Sequence, residues 1–163
     1  MRGKTATLRA APMDAPADGA AVDLSVLHQM VGFHVHMFDL AMYQSFYERF
    51  AERAFTPAIF STLAVVQQNP GIRHGALADA LRIQRPNLTS LINKLERVGY
   101  VSRRPSAGDK RSVALYLTDR GERAVTKMRV TMLAFDREAT ANLSARERKS
   151  LLGLLRKALS GDG

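Results

Sequence analysis

Between Arg85 and Arg97 lies the densest set of side chains in the sequence that could read another molecule: Arg85, Asn87, Thr89, Ser90, Asn93, Lys94 and Arg97. No acid falls among them until Glu96. Asn can pair with the adenine edge and Arg with the guanine edge. Ser and Thr hydroxyls suit bases or phosphates, and Lys suits phosphates. The chemistry on offer is non-covalent recognition in a major groove. Leu88, Leu91, Ile92, Leu95 and Val98 recur at helical spacing, which places the polar set on the opposite face of one helix, Gln84–Val98. A solvated amphipathic helix is the plain alternative, and the acid-free mixture of short polar and basic groups argues against it.

A second basic group follows at once. Arg103, Arg104, Lys110 and Arg111 flank a turn-rich stretch, Pro105 to Arg111, that also holds Asp109. Tyr100–Arg104 and Ser112–Leu117 read as two short strands of alternating polarity. A ribbon with a basic tip can reach a groove or the phosphate backbone beside a reading helix. Arg103, Arg104 and Lys110 are suited to phosphates, together with Lys94 and Arg97. Arg111 is the candidate for the tip.

Other chemistries find little support. The chain has no cysteine, which excludes disulfides, thiol catalysis, Cys-based zinc sites and thiol redox sensing. No phosphate-cradling Gly loop, GxSxG or paired catalytic carboxylates occur, so no enzyme and no cofactor is expected. His28, His34 and His36 do not share one helical face and match no metal-ligand spacing. They fit polar positions at an interface or a pocket. The net charge of +9 is unevenly spread. Residues 55–120 hold ten basic and four acidic side chains, residues 1–54 five and six, and residues 121–163 nine and five. The excess centres on the stretch with the reading helix, as a phosphate-binding surface requires.

The stretch Leu88–Val101, with Arg104, Asp109-Lys110-Arg111-Ser112 and Leu117-Thr118-Asp119-Arg120-Gly121, resembles the MarR family of bacterial transcription regulators. The resemblance implies a mainly α fold, a winged helix-turn-helix with long N- and C-terminal dimerisation helices and a small β-wing. It implies that Asp109 braces the wing, that Arg111 enters the minor groove, and that helix Gln84–Val98 enters the major groove. It also implies a homodimer built by the first and last helices, with effectors bound between those helices and the winged unit. The run Phe38–Phe46, with Pro57–Phe60, looks like members that sense aromatic acids or their coenzyme A thioesters.

The elements that must position these groups follow in order. Residues 1–21, rich in Ala, Pro, Asp and Gly, read as a flexible tail, with no secretory signal. Residues 22–163 read as a single domain: dimerisation helices at 22–54 and 119–160 and the winged unit at 56–118. The first helix, Val22 to Arg53, is apolar over most of its circumference and so needs burial on more than one side. His34, Met37, Phe38, Met42 and Phe46 from it, with Phe60, form the candidate effector set; plain core is the alternative for the apolar ones. Thr56 caps a helix that Asn69-Pro70-Gly71 ends. Ile72-Arg73 is a candidate third strand, and His74–Leu81 the first helix of the turn motif. Thr118 caps a helix reaching Asn142, and Ser144 with Glu147 forms a capping box before an apolar run of Leu151, Leu152, Leu154 and Leu155.

The expectation is a cytoplasmic, ligand-responsive repressor. It binds a near-palindromic double-stranded operator as a homodimer, does not enter a membrane, and is released by a small aromatic acid or aryl-CoA effector. A sequence-indifferent architectural nucleic-acid protein and a ligand-independent regulator remain the alternatives.

Overall fold

The computed structural model describes residues 22–50, 55–106 and 109–160, with the side chains of 106 and 109–112 excepted. The expected N-terminal tail lies outside the described residues. Six helices and three strands are described: α1 (Val31–Phe50), α2 (Pro57–Gln68), β1 (Ile72–Arg73), α3 (His74–Leu81), α4 (Arg85–Arg97), β2 (Val101–Ser106), β3 (Asp109–Leu117), α5 (Asp119–Ala139) and α6 (Ala145–Leu159). The chain divides into two compact units, one of residues 54–133 and one of residues 1–53 with 134–163.

The unit of residues 54–133 holds the winged helix-turn-helix. Thr56 accepts a hydrogen bond from the Ile59 N–H and Pro57 opens α2, where a missing N–H costs nothing. Ile59, Thr62, Leu63 and Val66 are the buried side of α2, and Phe60 is half-buried. Gly71, at φ +84°, turns the chain into β1. A Cβ there would come within 2.8 Å of the Tyr116 hydroxyl. The sheet order is β1-β3-β2, all antiparallel, with Ile72 opposite Leu115 and Val101 opposite Leu117. Leu77, Ala78, Leu88, Ile92, Leu95, Val101, Ala114, Leu115 and Val125 are its buried apolar residues from α3 onward, with Met128 at the edge of burial.

Thr118 is the joint of this unit. Its hydroxyl donates to the Gly99 carbonyl at 2.6 Å and accepts from the Gly121 N–H at 3.1 Å. Its N–H donates to the Tyr100 carbonyl at 3.1 Å. One residue thus closes the ribbon and caps α5. Further along, Gln67 on α2 donates to Glu122 at 2.6 Å and accepts from Arg129, tying α2 to α5.

In the other unit the first helix starts later than the expected Val22. A 3-10 turn at Leu27–Gln29 comes first, and Met30 is extended (φ −103°, ψ 119°) before α1 begins at Val31. The Asp23 carboxylate accepts from the Ser25 N–H at 2.9 Å where this turn opens, and the Met30 N–H closes it on the Leu27 carbonyl at 3.0 Å. The helix after Thr118 likewise ends at Ala139, short of Asn142. Thr140 closes it with its hydroxyl on the Asp136 carbonyl at 2.8 Å, and Leu143 N–H turns back to Thr140 O. The capping box at Ser144 and Glu147 forms as expected. Phe46 and Phe50 of α1 pack on Phe135, with ring centroids 5.5 and 5.9 Å apart. Arg49 pairs with Glu138 beside them.

Candidate nucleic-acid interface

The turn between α3 and α4 is set by Arg82, which adopts the left-handed conformation (φ 50°, ψ 36°) and caps α3. The Ile83 N–H returns to the Ala78 carbonyl at 3.0 Å. The chain then re-enters helix at Arg85, with Pro86 in the first turn. Leu88, Ile92 and Leu95 are buried, and Arg85, Asn87, Thr89, Ser90, Asn93, Lys94 and Arg97 are all exposed. Val98, expected in the apolar stripe, is instead the C-cap and 37% exposed. It lies where the helix has already unwound, and Gly99 at φ +72° completes the stop.

The exposed face is internally wired. The Thr89 hydroxyl donates to its own helix, to the Arg85 carbonyl at 2.9 Å, and lies 3.3 Å from His74 Nε2 on α3. Arg103 reaches from β2 across to α4, donating to Glu96 at 2.8 Å and to Asn93 Oδ1 at 2.7 Å. The one acid of α4 is therefore paired, and the face is left with net positive charge. Arg97 Nε leans back on the Asn93 carbonyl at 3.4 Å. Arg104 lies over the Tyr116 ring at 4.6 Å, which holds it flat against the ribbon. Burial, then the Arg103 and Arg85 charges, hold the His74 imidazole below its ordinary value of 6.5.

The two strands of the wing run further than expected, to Ser106 and from Asp109, which stand opposite each other after a shift in register at Pro105. Asp109, Lys110 and Arg111 thus have backbones within β3, and their side chains lie outside the described residues. Sequence reasoning missed His74 and the double contact of Arg103. Neither has a local signal, because each partner is ten or more residues away or on another element.

The effector-side residues are distributed unevenly. His34 is exposed, with Nε2 2.9 Å from the His28 carbonyl oxygen. Met37 and Met42 are half-buried. Phe46 is 1% exposed within the Phe50–Phe135 cluster, which makes it filled core. Phe38 is 45% exposed and borders a cleft of about 380 Å³ with Ala41, Thr140, Leu143 and Leu151. Phe60 belongs to the winged unit. Among the described residues no group of three or more His, Asp or Glu could hold a metal ion, and no helix is long and apolar enough to cross a membrane.

Residues 55–113 match the MarR family. A protein of Thauera aromatica assigned to transcriptional regulation of the hcr operon is 30% identical over 133 residues, covering 81% of this chain and 80% of that one. The chain belongs to the MarR family. Among solved structures, the transcriptional repressor CouR bound to a 23-mer DNA duplex is similar at a TM-score of 0.77 and 28% identity, over 85% of this chain and 99% of that one. A variant of MarR from E. coli complexed with operator DNA is similar at 0.72 and 28%, again over 85% and 99%. Proteins of this family are transcriptional regulators, not enzymes, and this MarR-family chain is a transcriptional regulator with the winged-helix fold.

Proposed function

We propose that this MarR-family protein is a homodimeric repressor that places α4 in the major groove of a near-palindromic operator, with the wing beside it in the minor groove. One observation supports this most: α4 buries Leu88, Ile92 and Leu95 and, apart from Pro86 in its first turn, exposes polar and basic residues, its single acid paired with Arg103. Arg85, Asn87, Thr89, Ser90 and Asn93 are the base-reading set. Lys94, Arg97, Arg103, Arg104 and Lys110 supply phosphate contacts, Asp109 braces the wing, and Arg111 is its tip. Two similar structures are bound to DNA, which supports DNA as the partner of this chain.

The dimer rests on apolar surface. Val31, Val35, Leu40 and Tyr47 of α1 and Leu152, Leu154 and Leu159 of α6 are each 47–77% exposed. A second copy of the chain would cover these faces, and its two-fold axis would set half-sites about one helical turn apart. The effector is a small aromatic acid or an aryl-CoA thioester. His34, Met37, Phe38 and Met42 are its candidate contacts in α1, and the cleft beside Phe38 offers the apolar wall. It acts through a difference in affinity between the DNA-competent and released states.

Fluorescence anisotropy tests the reading. DNA from upstream of the protein's own gene is compared with scrambled DNA across a salt series. Saturable binding that survives competitor is expected, with log affinity falling linearly in log salt. Equal binding to both DNAs would favour a sequence-indifferent protein. Arg111→Ala should weaken operator binding while sedimentation still shows a dimer. Calorimetry with aryl carboxylates and aryl-CoA esters tests the effector, and silence across the panel removes it.

A further inference from the structure

Two side chains behind the reading helix determine what two side chains on it can offer. Thr89 has one hydroxyl proton. It goes to the Arg85 carbonyl at 2.9 Å, so the contact at 3.3 Å with His74 Nε2 must use a proton on the imidazole. The hydroxyl proton is thereby committed and one lone pair engaged, so Thr89 has no proton to donate to a base; its methyl and one remaining lone pair are without an internal partner. Asn93 is constrained in the same way. A guanidinium only donates, so the atom 2.7 Å from Arg103 is the amide oxygen. A bidentate pair with adenine needs the oxygen and the NH2 side by side at the base. With its oxygen turned to Arg103, Asn93 keeps two donors to present.

We propose that His74 and Arg103 are positioning residues for sequence readout: Thr89 recognises a thymine through its C5-methyl, and Asn93 recognises an acceptor edge, such as guanine O6 or N7, and not adenine. This rests on the reading that α4 enters the major groove, and it goes beyond that reading by naming the base chemistry. The major groove presents a methyl only at thymine and paired acceptors only at guanine. Arg103 is suited to this role in a way that Lys is not. Its planar fork reaches Glu96 and Asn93 at once, whereas an ammonium is a single point charge.

The test is an in vitro selection of operators, followed by anisotropy with each operator thymine replaced in turn by deoxyuridine, which lacks the methyl. Wild type is expected to lose roughly three- to fivefold in affinity at one thymine per half-site, the value of one buried methyl. Thr89→Ser should bind with that penalty abolished. His74→Ala should shrink the penalty and broaden selection there, with binding to scrambled DNA unchanged. His74→Gln, which can still donate an N–H, should restore it. Should His74→Ala fold poorly, Thr89→Ser with the deoxyuridine scan still decides. Arg103→Lys should admit adenine at the position whose preference Asn93→Ala removes, with the salt slope unchanged. Specific binding without a deoxyuridine-sensitive position, a penalty that survives Thr89→Ser, or a wild-type preference for adenine opposite Asn93 would each overturn the inference alone. Absence of any specific operator would overturn the major-groove reading and this inference together.

Discussion

Replacing Gly121 by Ala should destabilise the winged unit, although helix propensity alone argues the reverse. Gly121 lies in the first turn of α5, where Ala would improve the helix by roughly 1 kcal/mol. A Cβ at this position, however, would overlap the Tyr100 carbonyl oxygen and lie 3.0 Å from its carbon and 3.2 Å from its Cα. These are backbone atoms of the chain entering β2, which cannot rotate away as a side chain can. The start of α5 must retreat by roughly 1 Å to restore ordinary van der Waals contact. That movement strains the Thr118 bonds to Gly99 and Tyr100, at 2.6 and 3.1 Å. Two hydrogen bonds at about 1 kcal/mol each, with about 1–3 kcal/mol for overpacking, outweigh the propensity gain. The net loss is about 2–4 kcal/mol, or roughly 4–16 °C in Tm for a chain of this size. Urea denaturation of wild type and Gly121→Ala, followed by circular dichroism, measures it. A variant as stable as wild type or more stable would refute the close-approach argument and leave propensity in control.

Three further outcomes are expected. Arg82→Gly should stabilise by about 0.5–1 kcal/mol in the same assay, because it relieves a non-glycine left-handed cap at φ 50°; a loss would show that the Arg side chain holds the turn. Ser144→Ala should cost about 1 kcal/mol by removing the side-chain bond to the Glu147 N–H, read as faster amide exchange in the first turn of α6. His74 should give stability a pH dependence. Its folded value is depressed, so the unfolded chain binds the proton first as pH falls below 6.5. Stability is then full above that value, declines as pH drops towards the folded value, and levels off below it. The slope should vanish in His74→Gln, measured by urea midpoints through that range.

Much of this protein was legible along the chain. The period of Leu88, Ile92 and Leu95, the Thr56-Pro57 start, the Ser144–Glu147 box and the stops at Gly71 and Gly99 all depend on residues within a turn or two of each other. Such signals act through local hydrogen bonds and backbone sterics, so sequence alone determines them, and with them the order of elements that marks a winged helix. The late start of α1, after a break at the extended Met30, did not show in an otherwise helical pattern. Only the tertiary structure decided which polar groups are already engaged. Packing, not periodicity, brings His74 to Thr89, Arg103 to Glu96 and Asn93, and the backbone of Gly121 against Tyr100. It also turned Phe46 into core while leaving Phe38 open. Helical spacing says which side a residue is on. Whether that side meets solvent, a neighbouring strand or another aromatic ring depends on how distant segments close on one another.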